Sequence, residues 1–321
     1  MTDTPSTSSD REQTGADAEE RVIDWWSEHL TYKENQAIYW RALPRVQAYV
    51  NRRSVGGEPY ADWVEYFVRR FMGANAPNAR ILSLGSGSGA LERRLAALNA
   101  FAACDAYDIA PAAVELAQRR AAEAGYTHIT YTAADITRHE FPAATYDAVW
   151  VEDALHHLEA LETMCEAITR TLKPKGWLFF SEYVGPTRFA FTRRQKQVLT
   201  AAHALIPPVY LRSFVPGSPP YQLVPQIPNP AEVAAADPSE AVRSAEVLSV
   251  VEQYFDIQVC NDAGGTILQF LLAGIAGNFH QDDDEAQTVL DMLIQIEQTL
   301  VDVGSLESNF VVVAAQPKSH L

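Results

Sequence analysis

The chain has 321 residues, enough for one large α/β domain with additions, and its 47% hydrophobic and 21% charged residues give a globular balance rather than a disordered one. A formal net charge of −16 sets up a field that repels phosphate backbones and anionic membrane surfaces. It argues against nucleic acid or a membrane as partner and for a small neutral or cationic substrate.

Residues 1–18 are rich in Ser, Thr, Asp and Glu with no apolar periodicity, so they are expected to form a disordered tail. From Glu19 to about Phe71 the pattern is helical and aromatic, carrying Trp25, Trp26, Tyr32, Tyr39, Trp40, Tyr49, Trp63, Tyr66 and Phe67; these rings serve packing first and a substrate cage second. From Arg80 short apolar runs alternate with helical stretches, the pattern of a parallel sheet covered by helices. Strands are predicted at Arg80–Leu84, Ala102–Asp108, Ile129–Ala133, Tyr146–Val151 and Trp177–Tyr183. Helices are predicted at Leu91–Ala100, Ala112–Ala124 and Leu158–Thr171, the last stopped by Lys173-Pro174-Lys175-Gly176.

Beyond Tyr183 a helix near Arg193–Leu205 leads into residues 207–230, whose eight prolines forbid helix or central strand. Its apolar content predicts an extended segment packed across the domain or on a neighbouring subunit. A helix at Ser239–Tyr254, a strand at Phe255–Cys260, helices at Thr266–Phe279 and Glu285–Val303, and a strand at Asn309–Ala315 complete the chain. The helix from Glu285 shows an apolar stripe at Val289, Leu293, Ile296, Leu300 and Val303, with Asp291, Glu297 and Asp302 expected on its solvated face. Cys104, Cys165 and Cys260 lack metal or redox spacing and read as packing residues in a reducing cytoplasm. No charged-then-apolar leader is seen, and the run Ile267 to Ala276 falls short of the roughly 20 residues of a membrane span, so a soluble, cytoplasmic protein is expected.

The strongest motif is Ile81-Leu82-Ser83-Leu84-Gly85-Ser86-Gly87-Ser88-Gly89-Ala90-Leu91, an apolar strand turning through three glycines into a helix. Glycines let the backbone approach a cofactor, and the helix start offers amides to its polar end. By itself this turn leaves a nicotinamide dinucleotide and S-adenosylmethionine (AdoMet) both open. Asp108 lies 19 residues after Gly89, at the end of the second strand, where a carboxylate reaches a pair of ribose hydroxyls. Asp105 lies deeper in that strand and ranks lower.

Taken in order, Gly85-x-Gly87-x-Gly89, Tyr107-Asp108-Ile109-Ala110-Pro111, Ala134-Asp135-Ile136, Tyr146-Asp147-Ala148-Val149 and Ala154-Leu155-His156-His157-Leu158 resemble the class I AdoMet-dependent methyltransferases over roughly residues 75–185. The resemblance implies an α/β fold, a doubly wound, Rossmann-like seven-stranded sheet whose last strand is antiparallel. It implies AdoMet as cofactor, with Gly85, Gly87 and Gly89 facing its methionine and ribose part, Asp108 with Ile109 at the ribose, and Asp135 with Ile136 at the adenine edge. Glu152, beside the end of the fourth strand, is counted with these cofactor residues. The family often carries an acid two residues before the first glycine, where this chain has Ser83.

The implied layout is a helical cap over 19–74, a cofactor core over 75–185, a helix and Pro-rich segment over 186–240, and the end of the sheet over 241–321. Within the last part, an insertion at 264–304 replaces the usual direct hairpin and reads as a substrate lid or a dimer surface. His156 and His157 follow the fourth strand and are expected to act on the acceptor as a base. Rival roles are a structural one and metal ligation, since Asp153-x-x-His156-His157 resembles a place where some related O-methyltransferases hold metal; no metal is assigned. Glu182-Tyr183-Val184-Gly185-Pro186 and Asp237-Pro238-Ser239-Glu240 stand out as motif-like without a role. The expected activity is methyl transfer to an oxygen or nitrogen of a small organic metabolite of secondary metabolism. The alternatives are a nicotinamide-dependent oxidoreductase and a non-catalytic AdoMet-binding protein.

Overall fold

In the computed structural model, which describes residues 20–319, seven strands form one sheet in the order β3-β2-β1-β4-β5-β7-β6. They are β1 Arg80–Leu84, β2 Ala103–Asp108, β3 Ile129–Ala133, β4 Tyr146–Glu152, β5 Leu172–Tyr183, β6 Phe255–Gly264 and β7 Phe310–Pro317. β1 to β5 pair in parallel, and β7 runs antiparallel between β5 and β6, as expected. The disordered tail expected over 1–18 lies outside the described residues.

The central strands read as continuous apolar runs because both faces are covered, as parallel sheets require. After a first helix, α1, over residues 20–28, one face of the sheet, with Ile81, Cys104, Ala106, Ala148, Trp150, Phe179, Val312 and Ala314, shares an apolar cluster with helices α2 (Pro44–Ser54), α3 (Trp63–Phe67), α4 (Ala90–Ala97), α5 (Pro111–Glu123) and α7 (Arg193–His203). The opposite face, with Leu82, Leu84, Val149, Val151, Leu178 and Phe180, packs against α6 (Leu161–Thr171) and α9 (Val247–Tyr254). The strand order reverses direction between β1 and β4, and a ligand crevice in such a sheet opens at the carboxyl ends on either side of that point.

Several expectations change. β5 starts at Leu172, directly after α6, and Leu172 pairs with Tyr146, so Lys173 to Gly176 belong to the strand rather than to a stop loop. α6 starts at Leu161 because Leu155–His157 form a separate 3-10 turn. The helix expected from Ser239 begins only at Val247, since residues 237–240 make a turn of their own. A short helix α8, Pro230–Ala236, was not anticipated, although Asn229 caps it through Ala231 N with Pro230 in its first turn. Tyr210 and Leu211 of the Pro-rich stretch are buried, but Val209, Leu223 and Val224 are exposed. Cys104 and Cys165 are packing residues, whereas Cys260 is exposed on β6.

The stripe of helix α11 (Asp284–Asp302) is turned relative to expectation. Leu290, Leu293, Glu297 and Val301 face inward and Val303 is exposed. Glu297 is fully buried because its carboxylate accepts from Gly265 N, Ile267 N and Leu268 N, which fixes the start of α10 (Leu268–Leu272). Of the N-terminal aromatics, Trp40, Tyr49, Trp63, Tyr66 and Phe67 are core, while Trp25, Trp26, Tyr32 and Tyr39 are not. Among the described residues no helix is long and apolar enough to cross a membrane.

Candidate active site

The glycine turn leaves β1 at its carboxyl end, with Gly85 N and Ser86 N both donating to Tyr107 O of β2. A Cβ on Gly85 would lie 2.4 Å from the Ala154 Cβ, and one on Gly89 would meet the Tyr131 hydroxyl and Ala117. Those two glycines are demanded by protein packing. Beside Gly87 there is open space, and the Ser86 hydroxyl is buried without a partner. Asp108 crosses to this turn: Oδ2 accepts from Gly87 N at 2.7 Å and Oδ1 from Ala110 N at 2.9 Å. Burial raises its pKa, and these amides oppose that rise. Each carboxylate oxygen retains a lone pair, so hydroxyls can still be bound there. The empty cradle at Gly87, the unpartnered serine and the acceptor at Asp108 fit the ribose and methionine part of AdoMet.

Ser83 donates to Glu92 Oε1 of α4, so a carboxylate approaches position 83 from the helix. Glu92 is fully buried, and burial, opposed by the Ser83 hydroxyl, lifts its pKa to about 7. Asp105, ranked below Asp108, accepts from Arg80 and from the Tyr146 hydroxyl. Asp135 closes its own turn, accepting from Thr137 N and the Thr137 hydroxyl and pairing with Arg138 at 3.3 Å. It neighbours Asp108 through Ala134 N, which donates to Asp108 O. Ile136 packs on the apolar cluster of the α6 face.

At the end of β4, Glu152 and Asp153 face the N-terminal segment. Lys33 Nζ lies 2.7 Å from Asp153 Oδ2, with Arg41 at 3.9 Å, and Arg120 of α5 forks onto Glu34. Burial raises the pKa of Glu152, and the Asp153 charge adds to it; Asp153 is held low, against burial, by Lys33 and Arg41. Residues 37 and 38 also accept from Gly277 N and Gly274 N, so segment 29–42 is tied to the 264–304 insertion. Nothing in the sequence singled out Lys33 or Arg41.

The two histidines follow on the Leu155–His157 turn, and both unexplained motifs converge on them. Glu182, fully buried at the end of β5, accepts from Ala154 N, Leu155 N and Tyr183 N and binds His156 Nδ1. Asp237 Oδ1 accepts from the Ser239 hydroxyl at 2.7 Å, and Ser239 Oγ lies 3.0 Å from His157 Nδ1. Glu240 Oε1 and Oε2 stand 3.7 Å and 4.0 Å from His156 Nε2 and His157 Nε2. Arg188 holds this loop by donating to the carbonyls of Asp237, Pro238 and Glu240. The Trp26 ring meets His157 edge-on. Burial works to lower the pKa of His156, but the charge and hydrogen bond of Glu182 prevail and raise it to about 9. Burial and the neighbouring His156 push that of His157 well below the ordinary range.

Residues 82–180 match the family described as "Methyltransferase domain". The chain is 32% identical over 129 residues to "Methyltransferase calH" of Penicillium decumbens, covering 37% of this chain and 35% of that protein. It is 30% identical over 122 residues to the "Ubiquinone biosynthesis O-methyltransferase" of Leptothrix cholodnii, covering 37% and 48%. It therefore spans less than half the length of these curated relatives. Among solved structures, the fold is similar to geranyl diphosphate C-methyltransferase from Streptomyces coelicolor A3(2), 12% identical over 94% of this chain and 98% of that one, with a TM-score of 0.53. It is also similar to phosphoethanolamine N-methyltransferase 2 of Haemonchus contortus, 16% identical over 91% and 60%, with a TM-score of 0.50. With its motif order and its sheet order in agreement with that match, the chain carries a class I AdoMet-dependent methyltransferase domain centred on residues 82–180.

Proposed function

We propose that this protein is an AdoMet-dependent enzyme that moves a methyl group to an oxygen or nitrogen of a small organic molecule. The observation that carries this reading is the meeting, at the carboxyl ends of β1, β2 and β4, of the open cradle at Gly87, the Asp108 carboxylate and the Glu152–His157 stretch. AdoMet supplies an electrophilic methyl group. The protein's part is chiefly positioning: holding two reactants in line is worth about 7–11 kcal/mol of a barrier.

Gly85, Gly87 and Gly89 shape the turn, Asp108 with Ile109 takes the ribose, Asp135 and Ile136 border the adenine, and Glu152 closes the side toward the acceptor. His156 and His157 act on the acceptor; of the two, His157 carries the free lone pair when no ion is bound. Segment 29–42 and the 264–304 insertion, tied together through residues 37, 38, 274 and 277, form the cover that excludes water. A small acceptor accords with this cover and with the charge of −16. The proteins it resembles are named as a ubiquinone biosynthesis O-methyltransferase, a geranyl diphosphate C-methyltransferase and a phosphoethanolamine N-methyltransferase, which supports a small-molecule acceptor. A cytoplasmic setting and a place in secondary metabolism go with this reading.

The test is transfer of label from methyl-labelled AdoMet to a cell extract, followed by separation of small molecules from macromolecules. Label in the small-molecule fraction is expected; label only in protein or nucleic acid, or none, would overturn the reading. Thermal stabilisation by AdoMet and not by a nicotinamide dinucleotide is expected from mass action on the native state, and the reverse would point to an oxidoreductase.

A further inference from the structure

The acceptor-side histidines are arranged as ligands. Glu182, a carboxylate, offers only acceptors, so His156 must present a hydrogen from Nδ1 to it. Ser239 has one hydroxyl hydrogen, and it is donated to Asp237 Oδ1, so His157 must likewise present its Nδ1 hydrogen to Ser239 Oγ. His157 is thereby fixed in the tautomer that leaves the lone pair on Nε2, His156 presents the same tautomer once an ion displaces its Nε2 proton, and both Nε2 atoms face the Glu240 carboxylate. Ligating histidines are oriented in this way, each by a hydrogen bond from its other nitrogen to a carboxylate or other acceptor.

We propose that His156 Nε2, His157 Nε2 and the Glu240 carboxylate form a binding site for one divalent transition-metal ion of the zinc and iron type. Their ligand atoms lie within 4.8 Å of one another. An ion at bond lengths of about 2.1 Å draws such atoms to roughly 3.0–3.4 Å apart, a closure of about 1–2 Å that rotation of the Glu240 carboxyl together with small turns of the two imidazole rings supplies. The surroundings carry surplus negative charge: Glu182 is fully buried beside His156, and Asp237 Oδ2, 3.9 Å from His157 Nδ1, is buried without a hydrogen-bond partner. Lys33 and Arg41 balance Asp153, which leaves Arg188, donating to backbone carbonyls, against Glu182, Asp237 and Glu240. Two imidazoles favour zinc, iron or nickel over magnesium and calcium, which prefer oxygen ligands. Three protein ligands also leave coordination positions free for an acceptor oxygen or nitrogen. The proposal rests on placing this pair at the acceptor; an ion occupies the lone pair of His157, so the pair then acts through the ion and not as a free base.

Ion binding is read without cofactor or acceptor, so its outcome is independent of the methyl-transfer assay. The full-length protein, stripped with chelator, is dialysed against Zn2+ and, separately, Co2+. One ion per chain is expected, saturating at about micromolar concentration or below, with a visible Co2+ absorption band and no competition from Mg2+. His157→Ala and Glu240→Gln should abolish stoichiometric binding, and Ser239→Ala should weaken it about 10- to 100-fold. Glu246→Gln, on the surface beyond the site, should leave it unchanged. Circular dichroism verifies that each variant is folded, and Ser239→Ala, which removes no ligand, carries the test if the others do not fold. Absence of saturable binding, or full binding retained in the His157, Glu240 and Ser239 variants, overturns the proposal.

Discussion

Gly87 N donates to Asp108 Oδ2 over 2.7 Å, so the carboxylate at the end of β2 is tied to the turn after β1 before any ligand arrives. In the proposed function its remaining lone pairs are the acceptors offered to a ribose. Asp108→Ala should therefore weaken AdoMet binding by about tenfold or more, since a hydrogen bond to a charged group is worth about 1.5–3 kcal/mol. Titration calorimetry reads this directly, and an unchanged affinity would remove Asp108 from the site.

Gly85 and Gly87 both have positive φ, +70° and +49°, but they stand in different surroundings. Gly85→Ala drives a Cβ to within 2.4 Å of the Ala154 Cβ, at the start of the histidine turn, whereas Gly87→Ala meets nothing within 4 Å. The expected outcome is a split. Gly87→Ala keeps the fold at a cost of about 1–2 kcal/mol for its left-handed conformation and loses cofactor affinity, while Gly85→Ala loses more stability than this. Equal losses of thermal stability in the two variants would refute the distinction.

Residues 29–39 are held chiefly by polar contacts, Lys33 to Asp153, Glu34 to Arg120 and two backbone bonds from Gly274 and Gly277, while Trp40 anchors the end of the segment in the core. Such a segment opens at low free-energy cost, and ligand beneath it should hold it down. Hydrogen exchange is expected to slow over residues 31–42 and 274–278 when AdoMet is added. Exchange that is indifferent to AdoMet in both stretches would mean that they do not cover the cofactor.

Much of this was legible in the sequence, because β1 to β4 announce themselves by apolar runs between glycine and proline breaks, and the glycine turn sits where strand becomes helix. What was not legible depends on tertiary company. Glu297 looked like a solvated residue because periodicity assigns faces by polarity, yet three amides of the 265–268 turn make its burial favourable. Glu182 and the Asp237–Glu240 motif were visible as unusual strings. Their meaning required Glu182, His156, His157, Ser239 and Glu240 to be brought together from three separate stretches of chain. Lys33 carried no local signal at all, since its only distinction is the carboxylate opposite.

Glu92 gives a pH dependence whose sign can be worked out. Its pKa stands at about 7 in the folded protein, raised first by burial and opposed by the Ser83 hydroxyl, against 4.5 for an ordinary glutamate. In the unfolded chain the carboxyl is free of that burial, so between about pH 4.5 and pH 7 the folded state keeps a proton that the unfolded state has lost. Stability therefore falls as pH rises through this window. Nothing is lost below it, where both states are protonated, and above it the cost levels off at about 3 kcal/mol, from 1.36 kcal/mol per pKa unit. Glu92→Gln removes the ionisation while keeping the shape and a partner for Ser83. Relative to the parent, the variant should gain stability between pH 5 and pH 8, by about 2–4 °C of melting temperature per kcal/mol. Any constant penalty of burying the amide cancels in that comparison, because it is the same at both pH values. Melting curves of the two proteins at pH 5, 6, 7 and 8 check it: a difference that stays flat across the series would show that Glu92 does not ionise within the folded core.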